Sequence, residues 1–123
     1  MADTFPPDLL DAQLRLHRAR AEYEAFCRTL PWSVVPAKGW PGEVHPHTGV
    51  VTGGRADSPG YTDEQKVDYA RRRELVRDLS IQVSTHPYWA TIEDPARVEA
   101  RMALKHHPDA VPATAEPAAL KAG

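Results

Sequence analysis

The sequence has a single cysteine, few aromatic residues and no long apolar run. Cys27 alone cannot form an internal disulfide, so the chain differs from small secreted domains held by disulfides and fits a reducing compartment. No stretch approaches the roughly 20 apolar residues of a membrane-spanning helix. The first residues lack the basic and apolar regions of a signal peptide. We therefore expect a cytoplasmic protein without a membrane partner.

The chain also lacks an excess of positive charge. Its 123 residues carry 15 basic and 17 acidic side chains, which gives a net charge of −2. Proteins that bind nucleic acid usually carry a clear basic excess, because neutralising phosphates drives their affinity. The charge balance therefore argues against nucleic acid as a partner. The length allows one domain and excludes a large enzyme.

Proline and glycine divide the chain into three segments and a connector. Residues 31–62 contain six of the 7 glycines and five of the 12 prolines, whereas the segments on either side contain long stretches with neither. Because helix breakers cluster between these segments, we predict an all-α fold. Two long helices at about 8–30 and 63–85 would form a small bundle with a shorter third helix at about 95–107. We expect the two long helices to be antiparallel, although so long a connector would also allow a parallel pair.

The predicted domain organisation is one helical domain over residues 1–107, followed by a Pro-Ala-rich tail. We expect this tail, residues 108–123, to be disordered. The third helix is predicted to begin with Asp94 as N-cap and Pro95 in its first turn. At its end, His106 and His107 would place positive charge where the helix dipole favours it.

The first helix has the most regular pattern, because its apolar residues recur with a period of seven. Such a stripe packs against the other helices of the chain, docks onto a helix of a partner protein or pairs with a second copy. The stripe consists of Leu9, Ala12, Leu16, Ala19, Tyr23, Phe26 and Leu30. In or near the core we expect Tyr23, Phe26, Val76, Leu79 and Trp89.

The second helix has a clear start signal. Thr62-Asp63-Glu64-Gln65 fits a capping box, in which the Thr62 and Gln65 side chains each bond to the other residue's backbone N–H. Pro87 is expected to end this helix, because a proline biases the residue before it away from helical backbone angles.

The connector, residues 31–62, is unusually long for a link between two helices. Its apolar content argues against plain disorder. We therefore expect it to lie over the helices and to place Trp32 and Trp40 in the core. The short apolar runs at 44–45 and 50–51 predict a small hairpin, and residues 53–60 are predicted to be a mobile turn.

Two clusters in the sequence carry chemistry that could bind a ligand. His45 and His47 are candidate metal ligands, but no acid or cysteine stands near them at a zinc-site spacing, so loop histidines are the simpler interpretation. Arg71-Arg72-Arg73 could contact phosphate or an acidic partner, although neighbouring acids favour a solvated helix face. Arg72 is expected to pair with Glu22 or Asp11 of the first helix.

No nucleophile, base or pair of carboxylates forms a recognisable catalytic pattern in the sequence. Our leading hypothesis is therefore a non-catalytic interaction protein without a cofactor, which binds another protein or a second copy of itself, as in a homodimer. Trp32, Trp40 and Arg72 are the expected contact residues, since Trp and Arg are enriched at binding hot spots. The alternatives are a metal or small-ligand site at His45 and His47, and nucleic-acid binding by the helix that carries Arg72.

Overall fold

The computed structural model describes residues 4–112, which form a small all-α bundle with one short hairpin, as predicted. The helices are α1 (Pro7–Cys27), α2 (Asp63–Ser84) and α3 (Asp94–Lys105). Strands β1 (Glu43–Val44) and β2 (Val51–Thr52) pair antiparallel. Two short 3-10 helices, Pro87–Thr91 and Pro108–Ala110, flank α3.

Helices α1 and α2 are antiparallel, and contacts at both ends of the pair fix their register. The Tyr23 hydroxyl donates to the Tyr69 hydroxyl (3.3 Å) where α1 ends and α2 begins. At the opposite end, His86 Nε2 lies 2.9 Å from Asp8 Oδ2. The first four residues of the apolar stripe on α1 are buried in this packing (Leu9, Ala12, Leu16 and Ala19). That part of the stripe is therefore used within the chain.

The core lies at one end of the helix pair. Trp89 is buried there, and its Nε1–H donates to Val83 O (2.7 Å). The core cluster comprises Phe5, Leu9, Ala12, Leu16, Ala19, Leu79, Val83, Trp89 and Leu104, with Val76 packed against it. The expectation was wrong for Tyr23 and Phe26, which are half-buried outside this cluster. The core cluster, which includes Leu104 of α3, lies at the opposite end of the helix pair from Tyr23 and Phe26.

The bounds of α1 and α3 differ from the predicted ones, and α3 ends at Lys105 rather than 107, with His106 as its C-cap. Helix α1 stops at Cys27, because the chain tightens into i→i−3 bonds such as Leu30 N–H to Cys27 O (3.2 Å) before Pro31. Helix α3 begins one residue early: Glu93 is the N-cap without a side-chain cap bond, and Asp94 is already helical. The start of α2 is as predicted, with Gln65 N–H donating to Thr62 Oγ1 (3.0 Å) and Thr62 N–H to Gln65 Oε1 (2.8 Å).

The prediction that disorder begins at 108 was wrong for residues 108–112. Residues Pro108–Ala110 form a 3-10 helix that packs against α1, and Ala110 is fully buried. Proline supplies the backbone angle of the first turn, and the small alanine side chain lets the turn approach α1 closely. The remainder of the predicted tail, 113–123, lies outside the described residues.

Three histidines that precede prolines share one local structure. In each, imidazole Nδ1 accepts the backbone N–H two residues further on: His45 from His47 (3.1 Å), His86 from Tyr88 (3.0 Å) and His107 from Asp109 (3.0 Å). The proline holds the histidine in the extended backbone that an N-cap needs. His107 therefore caps the following turn, in addition to its expected place after α3.

Candidate functional site

The connector folds into a long antiparallel ribbon that includes β1 and β2. Its backbone-paired residues, which we call rungs, all follow one register. Moving three residues forward along the first strand corresponds to moving three residues back along the second. The rungs outside β1 and β2 are Val34 with Tyr61, Ala37 with Ser58, Trp40 with Arg55, and His45 with Val50. The predicted hairpin is confirmed as the tip of this ribbon. Residues 53–60, expected to be a mobile turn, instead belong to its second strand.

Glycines let the two strands of the ribbon approach each other closely. A Cβ atom on Gly39 would lie 1.9 Å from Arg55 O, and one on Gly54 would lie 2.5 Å from Gly42 N. Both distances are far below van der Waals contact. The high glycine content of the connector therefore reflects close strand packing as well as turns.

The ribbon brings Trp32 and Trp40 together. Their rings meet edge to face, with centroids 5.6 Å apart and an interplanar angle of 69°. Each indole N–H donates to a carbonyl of the second strand, Trp32 to Ala56 O and Trp40 to Gly53 O, both at 2.8 Å. The two rings are thus fixed to the ribbon backbone.

Arg55 completes what we call the tryptophan surface (Trp32, Trp40 and Arg55). Its guanidinium carbon lies 4.9 Å from the centroid of the Trp32 ring, within cation–π range. The adjoining Val34 and Val35 side chains are also exposed. Arg55 was not among the contact residues predicted from the sequence, because only the register of the ribbon places it opposite Trp40. The spacing of Gly39, Gly42, Gly53 and Gly54 was the available signal for that register.

The expectation that both tryptophans enter the core was wrong. Trp32 is 37% exposed and Trp40 is 50% exposed, and neither belongs to the core cluster. The physical reason is that the ribbon itself satisfies both indole N–H groups and supports both rings. The tryptophans therefore form a surface that is separate from the core.

Arg72 lies on α2, and its contacts are with Phe26 of α1 and Asp68 of α2. Its guanidinium stacks on Phe26, 4.9 Å from the ring centroid, and its Nε lies 3.3 Å from Asp68 Oδ1 without hydrogen-bond geometry. Arg71 pairs with the same carboxylate. The expected pairing of Arg72 with Glu22 or Asp11 was therefore wrong, because Asp68 is one turn away on the same helix.

His45 and His47 stand together at the tip of the ribbon, with ring centroids 5.8 Å apart. His45 Nδ1 already accepts the N–H groups of His47 and Thr48 (3.1 and 3.3 Å). Within residues 4–112 no three His, Cys, Asp or Glu side chains converge as a metal site would require. The His45 side chain therefore has a structural role in the turn.

The phenol of Tyr23 is the most perturbed titratable group in the part of the chain described. Its hydrogen bond to Tyr69 and then burial raise its pKa to about 12. The half-buried thiol of Cys27 lies beside it. With its pKa raised, the Tyr23 phenol stays protonated at neutral pH and supplies no general base to the thiol beside it.

The family model of a domain of unknown function, DUF8825, matches residues 8–107. The chain belongs to this family. No curated protein and no solved structure matches the chain. The matched range of this DUF8825 chain includes α1 from its second residue, α2, α3 and the whole ribbon, so the tryptophan surface lies inside the family domain.

Among residues 4–112, no helix of the DUF8825 domain is both long enough and apolar enough to cross a bilayer. The surface of α2 carries mixed charge, since Arg77 contacts Glu74 (3.4 Å) as Arg71 contacts Asp68. These pairs reduce the positive charge that the arginine run offers to phosphate.

Proposed function

We propose that this DUF8825 protein is a non-catalytic, cytoplasmic interaction protein that binds another protein through the tryptophan surface. The observation that carries the proposal is the pair of exposed tryptophans, which the ribbon holds rigidly and Arg55 flanks. In folded monomers, contiguous exposed apolar patches often mark sites that bind a protein or a ligand.

The rigidity of the surface favours binding. Both indole N–H groups and the edge-to-face contact fix the ring orientations. Binding therefore requires little additional ordering of Trp32 and Trp40, which reduces the entropic cost of association. Tryptophan and arginine are also the residue types that most often dominate interface energies.

A different protein is favoured over a second copy of this chain. The sequence argument for a homodimer depended on the heptad stripe of α1, and its first four positions are buried against the rest of the chain. Arg72 contributes little to the proposal, because Phe26 and Asp68 already engage its guanidinium. The ribbon is therefore the surface to test.

The two alternative functions receive less support from the geometry. A metal site at His45 and His47 would have to break the turn bonds made by His45 Nδ1. Nucleic-acid binding by α2 would have to compete with the ion pairs of Arg71 and Arg77. Neither cluster shows the convergence of free polar groups that a ligand site usually has.

The test compares affinity capture from the native host by the wild-type chain, W32A/W40A, R55A and V98A/M102A. Val98 and Met102 are exposed apolar residues of α3 and serve as the matched control. A protein captured by the wild type is identified, purified and titrated against all four chains. We expect R55A and W32A/W40A to weaken its affinity by about 30-fold or more, the scale of a hot spot of 2 kcal/mol.

R55A addresses the risk that removal of both indoles unfolds the ribbon, because it leaves the tryptophan pair and the backbone rungs in place. Affinities that are equal for the wild type, R55A and W32A/W40A would contradict the proposal. Loss of binding in V98A/M102A alone would move the interface to α3. A complex containing only a second copy of the chain would replace the proposed partner by self-association.

A further inference from the structure

The two indoles and the guanidinium of the tryptophan surface offer different chemistry to a partner. Both indole N–H groups already donate to backbone carbonyls, at 2.8 Å to Ala56 O and to Gly53 O. Because an indole has no second N–H group, Trp32 and Trp40 have only their apolar rings left for a partner. Any hydrogen bond that this surface donates from a side chain therefore comes from Arg55.

The positive charge of Arg55 is exposed and is not neutralised within the part of the chain that the structure describes. No ion pair among residues 4–112 includes this side chain. Its guanidinium carbon is held 4.9 Å from the centroid of the Trp32 ring. The ring attracts the charge, but its face does not supply the oxygen acceptors that the five N–H groups of arginine use.

The acidic side chains of the ribbon, Glu43 and Asp57, do not supply those acceptors either. Asp57 Oδ1 accepts the backbone N–H of Gly39 (2.8 Å), so this carboxylate braces the two strands of the ribbon. Glu43 begins β1, opposite Thr52. Neither carboxylate forms an ion pair with Arg55. A carboxylate for the Arg55 guanidinium therefore has to come from outside the ribbon.

We infer that the partner segment recognised by the tryptophan surface presents an Asp or Glu carboxylate beside an apolar side chain. This inference rests on the proposed function. A carboxylate matches the guanidinium in planar geometry and in charge, and charge-assisted hydrogen bonds are roughly twice as strong as neutral ones. The apolar neighbour packs on the two indole rings, and the exposed Val34 and Val35 extend the apolar contact. The partner therefore offers an acidic-apolar segment.

Lys38 provides a matched control, because it is the other Lys or Arg side chain of the ribbon. It is exposed and also belongs to no ion pair within residues 4–112. It lines a shallow depression with Pro36 and Asp57, apart from the tryptophan rings. K38Q and R55Q remove the same charge from the same ribbon, but only R55Q removes the guanidinium beside Trp32. A direct pair with a carboxylate should therefore affect R55Q far more than K38Q.

The test selects ligands for the full chain from a displayed library of random linear peptides. The selected peptides are synthesised with a dye and titrated by fluorescence polarisation against the wild type, W32A/W40A, R55Q and K38Q. We expect them to carry Asp or Glu beside an aliphatic or aromatic residue. Replacing that acid by its amide should weaken binding to the wild type by about 10-fold or more, and should have little effect on R55Q. We expect K38Q to change the affinity by less than about 2-fold.

The outcomes separate this inference from the proposed function. Selected peptides without an acid that still lose binding in W32A/W40A would overturn the acidic-apolar partner and leave the docking surface in place. Equal losses in R55Q and K38Q would also overturn it, because they indicate net charge and not a direct pair. So would an amide replacement that weakens binding equally in the wild type and R55Q.

Peptides that bind W32A/W40A and R55Q as tightly as the wild type would contradict the proposed function itself. R55Q keeps both indoles and the backbone rungs. The comparison of R55Q with K38Q therefore still decides the inference if W32A/W40A does not fold.

Discussion

Gly39→Ala should unfold the ribbon while leaving the helical bundle intact. The added Cβ would lie 1.9 Å from Arg55 O and 2.5 Å from the carbonyl carbon of Ala56. Ordinary contact requires more than 3.4 Å, so the strands must separate by over an ångström at this point. That separation breaks the two bonds of the Trp40–Arg55 rung, which measure 2.8 and 2.9 Å.

The cost follows from the bonds that depend on this close approach. The rung contributes two backbone hydrogen bonds, and Trp40 Nε1–H to Gly53 O adds a third. At about 0.5–1.5 kcal/mol each, the loss is roughly 1.5–4.5 kcal/mol. A ribbon of two strands is marginally stable, so a loss of this size should unfold it.

The assay is near-UV circular dichroism, which detects the fixed pair of Trp32 and Trp40. Gly49→Ala is the matched control: it has no neighbour within 4 Å but has φ of +76°, so it introduces backbone strain without a collision. We expect G39A to lose the contribution of Trp32 and Trp40 and to keep that of the buried Trp89. We expect G49A to retain both contributions with a cost of about 1–2 kcal/mol. A wild-type signal and melting curve for G39A would refute the close packing of the ribbon.

Three further predictions concern the bundle. Thr62→Ala removes the capping box and should cost about 1 kcal/mol in urea unfolding, whereas an unchanged midpoint would mean that the cap contributes nothing. Leu104→Ala should cost about 2–5 kcal/mol, because the side chain is 1% exposed; a loss below 1 kcal/mol would contradict its burial. The raised pKa of Tyr23 stabilises the fold below pH 10, and this contribution is lost as pH rises through about 12. Y69F should lower that pKa in a spectrophotometric titration, and an unaltered titration would exclude the hydroxyl pair as its cause.

Local patterns were sufficient to predict the helices. The capping box at Thr62 and the period-seven residues of α1 depend on neighbours along the chain. The cap forms as expected, and the apolar stripe is helical from Leu9 to Phe26, although only its first four residues are buried. Helix ends were less predictable, because a final turn can tighten into i→i−3 bonds, as it does after Cys27.

The candidate site depends on contacts between residues that are distant in sequence. Trp32 was expected in the core because an apolar ring is usually buried, but the ribbon register supplies a partner for its N–H at Ala56, 24 residues away. The same register places Arg55 beside the ring. For Arg72 the prediction was a contact with α1, but its carboxylate partner is local. Asp68, one turn away on α2, takes the place of the expected Glu22 or Asp11.

The caps made by histidines before proline were also missed. Their sequence pattern was visible at His86-Pro87 and His107-Pro108, but the role of Nδ1 depends on the turn that follows each proline. The burial of Ala110 could not be predicted either, because an alanine in a Pro-Ala-rich segment gives no sequence signal of burial.

The most direct test of the proposed docking surface is site-specific photo-crosslinking in the native host. A photoreactive phenylalanine derivative replaces Val35, beside Trp32, or Val98 of α3, which have similar exposure (64% and 67%). The account predicts a discrete adduct with another protein from position 35, lost in the R55A background, and none from position 98. An adduct from position 98 alone, or equal adducts from both positions with and without Arg55, would contradict it.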